Sequence, residues 1–131
     1  MVNTMNLFLL NLGMTLSLLC FYVGYFFRFK NNRLHRIINT IGVLCNLAAA
    51  VFLLSWKYML GGLEPMGIVA VVPPIVVIIH RICASIALIL MLAMAFSGMT
   101  GKKEIHKKLH KIFLILYTVV FISGLFIFQA R

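Results

Sequence analysis

The chain alternates between long apolar runs and short basic ones. No Asp, Glu, Lys or Arg occurs in residues 1–27, 37–56, 65–79, 82–101 or 112–130. About 20 consecutive apolar residues cross a hydrocarbon core roughly 30 Å thick. The pattern therefore predicts an all-α integral membrane protein with four transmembrane helices, over residues 6–27, 34–56, 74–98 and 105–129. The third boundary rests on Pro73-Pro74. One helix over 65–101 would run about 55 Å, whereas proline is at home in the first turn of a helix and disruptive inside one. Residues 57–73 become an outer connection that lies on or dips into the interface, with Lys57 and Tyr58 as anchors. The whole chain, 1–131, reads as a single transmembrane domain.

Composition sharpens this picture. Of the 131 residues, 63% are hydrophobic and 11% charged, against about 25% charged in soluble domains. No stretch outside the apolar runs is long enough for a soluble catalytic domain. The net charge of +10 would suit nucleic acid, but its placement argues otherwise. Nine of the twelve cations fall in two clusters, Arg28, Lys30, Arg33 and Arg36, then Lys102, Lys103, Lys107, Lys108 and Lys111. Lys and Arg beside helix ends stay cytoplasmic, and nothing remains outside the membrane to read bases. The expected topology is an up-down bundle with both basic loops inside and both termini outside. The basic loops would also meet anionic lipid, at roughly 1 kcal/mol per residue near the surface. The N-terminus lacks a basic segment and a small-residue cleavage site, so the first helix is expected to be retained. Cys20, Cys45 and Cys83 lie in apolar runs without CxxC spacing and read as free thiols.

Candidate chemistry centres on four histidines. His35 opens the second helix; His106 and His110, four residues apart and so on one face, open the fourth. His80 lies about 25 Å from the inner end of the third. Three histidines should thus sit near the inner face and one near the outer. Ionisable side chains inside membranes are functional candidates by default, and neutral imidazole ligates haem iron, copper and zinc. The faces that carry them are small and polar. The second helix presents His35, Asn39, Gly42, Asn46 and Ala49. The fourth presents His106, His110, Phe113, Tyr117, Phe121 and Gly124. The third presents His80, Ala84, Ala87, Met91, Met94 and Gly98. The first offers only a packing seam of Gly13, Ser17, Cys20 and Gly24. Such residues face other helices, where backbones approach and hydrogen bonds form.

Two ligand chemistries fit. A b-type haem would be held by His35 with His110 or His106, flanked by Asn39 and Tyr117. Copper would use imidazoles together with the thioethers of Met91 and Met94, although methionine more commonly fills gaps in apolar cores. Arg81, beside His80, can snorkel to lipid phosphate or meet a propionate or quinone oxygen. Solvated histidines at a basic interface are the plainer alternative. Glu64 and Glu104 fall in separate loops. There are no paired carboxylates, no Ser/His/Asp set and no phosphate-cradling glycine loop, so hydrolytic or phosphoryl-transfer catalysis has no visible machinery.

Three segments carry a likeness to a known family. They are His35-Arg36 with Asn39 and the run to Phe52-Leu53; Ile78-Ile79-His80 with Ala84 and Ala87; and His106-Lys107-Lys108-Leu109 through Tyr117 to Ser123-Gly124. Over residues 34–128 the chain resembles an uncharacterised-domain family of small bacterial membrane proteins linked to cytochrome c oxidase maturation. The histidine placement also resembles four-helix b-type cytochromes. The first resemblance implies a bacterial cytoplasmic-membrane protein that assists oxidase assembly and handles haem or copper. The second implies a subunit passing electrons between quinol and a partner. A non-catalytic subunit of a membrane complex is a third expectation. Four helices enclose little interior, so a larger respiratory complex or a homo-oligomer is expected.

Overall fold

The computed structural model describes residues 2–59, 61–62 and 67–130. Within them lie four long helices: α1 (Val2–Phe27), α2 (Asn32–Tyr58), α3 (Pro74–Met99) and α4 (Lys103–Ile127). All four are long and apolar enough to cross a membrane. At 1.5 Å per residue, 25–27 residues reach roughly 38–40 Å, which covers the hydrocarbon core with turns to spare.

The helix boundaries have local causes. Asn31 caps α2, its side chain accepting from the backbone amides of Arg33 and Leu34 at 3.1 and 3.3 Å, which satisfies donors that a helix start leaves open. Pro74 occupies the first turn of α3. Between α3 and α4 the chain turns at Gly101, whose φ of 76° suits glycine alone.

The fourth helix ends at Ile127, two residues short of the expected bound, and a short strand pairing follows it. Residues Phe128–Ala130 (β2) pair antiparallel with Ile68–Ala70 (β1), in register Ile68 with Ala130. Their extended backbone finds partners in the preceding connection, and Val71 continues the pattern by donating to Ile127 at 2.9 Å. Glu64 lies outside the described residues, as do Leu60, Leu63, Pro65 and Met66 of the expected 57–73 connection. At the start, α1 begins at Val2, earlier than residue 6.

α1 packs along α2 and α3 along α4; the two pairs meet through α1 with α4 and, more sparingly, α2 with α3. Lipid supplies no hydrophobic drive between helices, so close van der Waals approach and hydrogen bonds must hold them. The α1–α2 seam does so through small residues. A Cβ on Gly42 would sit 3.0 Å from Cys20 Cβ and 3.1 Å from the Phe21 ring. Ser17 Oγ donates to the Gly42 carbonyl at 2.8 Å. Larger residues fill the middle: Phe21, Met91, Met94, Phe113, Leu114 and Tyr117 form the core. Phe21 meets Phe113 edge-on at 4.9 Å and Tyr117 at 5.7 Å, geometries that the ring quadrupoles favour. Tyr117 Oη donates to Asn46 Oδ1 at 2.9 Å, and Asn46 Nδ2 donates to Met91 Sδ at 3.2 Å. A polar chain thus ties α2, α3 and α4 at mid-height.

A candidate metal centre of three histidines

The starts of α2 and α4 meet the ends of α1 and α3, which brings both basic loops to one end of the molecule. There the structure gathers His35, His106 and His110. One ligand nitrogen from each lies within 4.8 Å of the others. The ring centroids are 5.9 Å apart for His35 and His110, 6.0 Å for His35 and His106, and 5.8 Å for His106 and His110. His110 is 0% exposed and His35 is 7% exposed; His106 is half-buried at the rim.

Backbone carbonyls from the other two helices orient two of the rings. His35 Nδ1–H donates to the Gly24 carbonyl on α1 at 2.7 Å. His106 Nδ1–H donates to the Met94 carbonyl on α3 at 2.9 Å. A carbonyl cannot donate, so the proton is on Nδ1 and the lone pair is left on Nε2. This is the arrangement that outer partners impose on metal-binding histidines. The third ring differs. Both nitrogens of His110 are buried with no hydrogen-bond partner among the described residues, although buried polar groups are almost always paired. The Tyr25 ring stands edge-on to His110 at 5.1 Å. Asn39, one turn beyond His35, brings its amide nitrogen to 3.1 Å from His35 Nδ1 and 3.4 Å from Nε2; with the proton on Nδ1, only Nε2 can accept from that amide.

Two glycines make room. A Cβ on Gly98 would lie 3.1 Å from Nδ1 and Cε1 of His106. One on Gly24 would collide with the Asn39 side chain, 2.8 Å from its Cγ. Each helix therefore contributes: α1 a carbonyl and a gap, α2 and α4 the imidazoles, α3 a carbonyl and a gap.

The remaining expected site residues lie elsewhere. His80 sits toward the opposite end, where Nδ1 lies 2.9 Å from Ser123 Oγ and the ring meets Phe128 at 5.6 Å. Arg81 is exposed beside it. Both line a mostly apolar cavity of about 260 Å³ that reaches Asn46 and Tyr117. Met91 and Met94 belong to the core; Met91 sulfur takes the Asn46 hydrogen bond, and Met94 serves the histidines through its carbonyl. The Gly24 and Met94 carbonyls and the gap at Gly98 are parts of the site that the pattern of side chains does not announce. The only signal for them is a small residue, Gly24 or Gly98, placed shortly before each basic loop.

No family model, curated protein or solved structure matches this chain. The geometry of the three histidines is therefore what carries the functional reading. Three atoms mutually within 4.8 Å share a point no more than about 2.8 Å from each, close to the 2.0–2.1 Å of a metal–imidazole bond. A contraction of under about 1 Å closes the set on one ion.

Proposed function

We propose that this protein binds one transition-metal ion through His35, His106 and His110, and that it handles this ion in the assembly of a respiratory oxidase. The observation that carries the metal reading is the contrast within the cluster. Two imidazoles are held by carbonyls through Nδ1, which leaves Nε2 to accept, at His35 with the Asn39 amide 3.4 Å away, and the third has both nitrogens buried and without a hydrogen-bond partner among the described residues. An apolar or purely structural core would not leave His110 so; a ligand set awaiting a Lewis acid would. When bound, the ion supplies electrostatic compensation for those lone pairs and ties α2 to α4. The chain's own groups keep the rings in place and exclude water.

In this reading the four helices form an up-down bundle, the basic end faces the cytoplasm, and both termini face out. The distribution of Lys and Arg supports that orientation. The oxidase role rests on the sequence resemblance over residues 34–128, which also suggests a bacterial cytoplasmic membrane and partners within a larger complex.

A bis-imidazole haem is the second reading, favoured by one observation: the His35 and His110 rings lie only 28° from parallel. Against it, His106 and Tyr25 are both in ring contact with His110, and a macrocycle would have to move them aside. Metal analysis and visible spectra of the purified protein separate the two. The expected result is about one metal ion per chain, lost in His110→Ala and His35→Ala, with no Soret band. A Soret band that vanishes in the same variants establishes haem instead. A folded, purified protein that takes up neither metal nor haem overturns the proposal. For the oxidase role, a deletion strain should lose assembled oxidase and regain it with the wild-type chain but not with His110→Ala.

A further inference from the structure

Resting on that metal reading, we infer that the triad selects a monovalent ion, Cu(I), over divalent ions. The selection is by charge. The donors are three neutral imidazoles, and among the described residues no Asp, Glu or Cys joins them. Glu104 is exposed in the first turn of α4, and the three cysteines belong to other parts of the helices. No ligand therefore offsets the charge of an incoming ion.

The surroundings add positive charge. Arg28 follows directly on the end of α1. Its guanidinium carbon lies 5.3 Å from the centre of the Tyr25 ring, the ring that stands against His110. Its Nη1 is buried with no hydrogen-bond partner among the described residues. The basic residues that flank both helix starts have the same sign. The cost of desolvating an ion grows as the square of its charge, so a divalent ion meets about four times the penalty of a monovalent one. It also meets about twice the repulsion from Arg28.

Coordination number points the same way. A three-histidine zinc site keeps an open fourth position for water. Here His110 is sealed and His35 nearly so, which leaves access only past the rim at His106. Cu(I), whose single charge attracts a further water only weakly, is satisfied by three nitrogen donors. Charge and closure therefore do the selecting.

The test uses the full chain in detergent or nanodiscs. It is titrated anaerobically with Cu(I) against a competing chelator and separately with Zn²⁺, then exposed to air. The expected product has about one copper per chain, stays silent in electron paramagnetic resonance after air exposure, and gives an X-ray absorption edge of three-coordinate Cu(I). Arg28→Gln should raise both affinities, with the Zn²⁺ factor about the square of the Cu(I) factor, because the removed repulsion is linear in ion charge. A stoichiometric tetragonal Cu(II) signal, or Zn²⁺ held as tightly as Cu(I) and lost in His110→Ala, overturns the monovalent selection and leaves the metal site standing. Equal factors for the two ions in Arg28→Gln overturn the role of charge. Failure to bind any ion overturns the metal reading itself.

Discussion

Gly98→Ala is a small change whose two consequences have opposite signs. Gly98 lies one residue inside the end of α3, and replacing glycine by alanine in a helix favours folding by up to about 1 kcal/mol. The new Cβ, however, would lie 3.1 Å from two atoms of the His106 ring. Ordinary contact needs about 3.5 Å, so the ring recoils by about 0.4 Å. Recoil away from α3 stretches the 2.9 Å bond from His106 Nδ1 to the Met94 carbonyl to about 3.3 Å, the edge of hydrogen-bond range. Loss of such an orienting bond typically lowers metal affinity about 10–100-fold, or about 1.4–2.7 kcal/mol. We therefore expect the metal-free variant to melt at or above the wild-type temperature while its metal affinity falls at least about tenfold. Chelator competition gives the affinity and circular dichroism the melting. Unchanged affinity at unchanged helicity would refute the idea that the carbonyl-held ring is a ligand. A parallel loss of stability and affinity would show that the contact disturbs packing instead.

Three further outcomes follow from the same geometry. Each imidazole must be neutral to ligate, so acidification should release the ion, and more steeply than from a single-histidine site, because up to about three protons replace it; a pH titration of the loaded protein checks this, and a shallow one-proton release would count against three ligands. Tyr117→Phe removes the donor to Asn46 Oδ1 and should cost about 0.6–2 kcal/mol of stability without altering metal affinity, as read by thermal melts and the same titration. For orientation, single cysteines at Asn32 and Met59, both exposed, in a chain carrying Cys20→Ala, Cys45→Ala and Cys83→Ala, should respond oppositely to an impermeant thiol reagent in intact cells: position 32 protected, position 59 labelled. The reverse pattern would place the histidines at the outer face.

How far the sequence could be read depended on contrast. On α2 the stripe His35, Asn39, Gly42, Asn46 and Ala49 is the buried set of the folded helix, because polar and small residues stand out on an otherwise apolar surface. α3 offers no such contrast. Its buried residues include Val77 and Ser97, which lay off the expected stripe, because one apolar side chain is as content against lipid as another. The apolar pattern carries the fourth helix to residue 129 because so short a tail has no period of its own; only pairing with Ile68–Ala70 makes Phe128–Ala130 extended.

The histidine site shows the same division. Basic loops fix the level of His35, His106 and His110 along the membrane normal, and helical spacing fixes the direction that each one faces. What remained was the distance across the helices, and that is governed by backbone. The two carbonyls that orient His35 and His106 have no side-chain identity to be read. The close approach that lets them reach is permitted by the missing Cβ atoms of Gly24 and Gly98. A glycine near a helix end is usually read as punctuation. Facing a histidine at the start of the next helix, each of these instead sets the room that its neighbour has, so the width of the ligand set is carried by the residues that contribute no side chain to it.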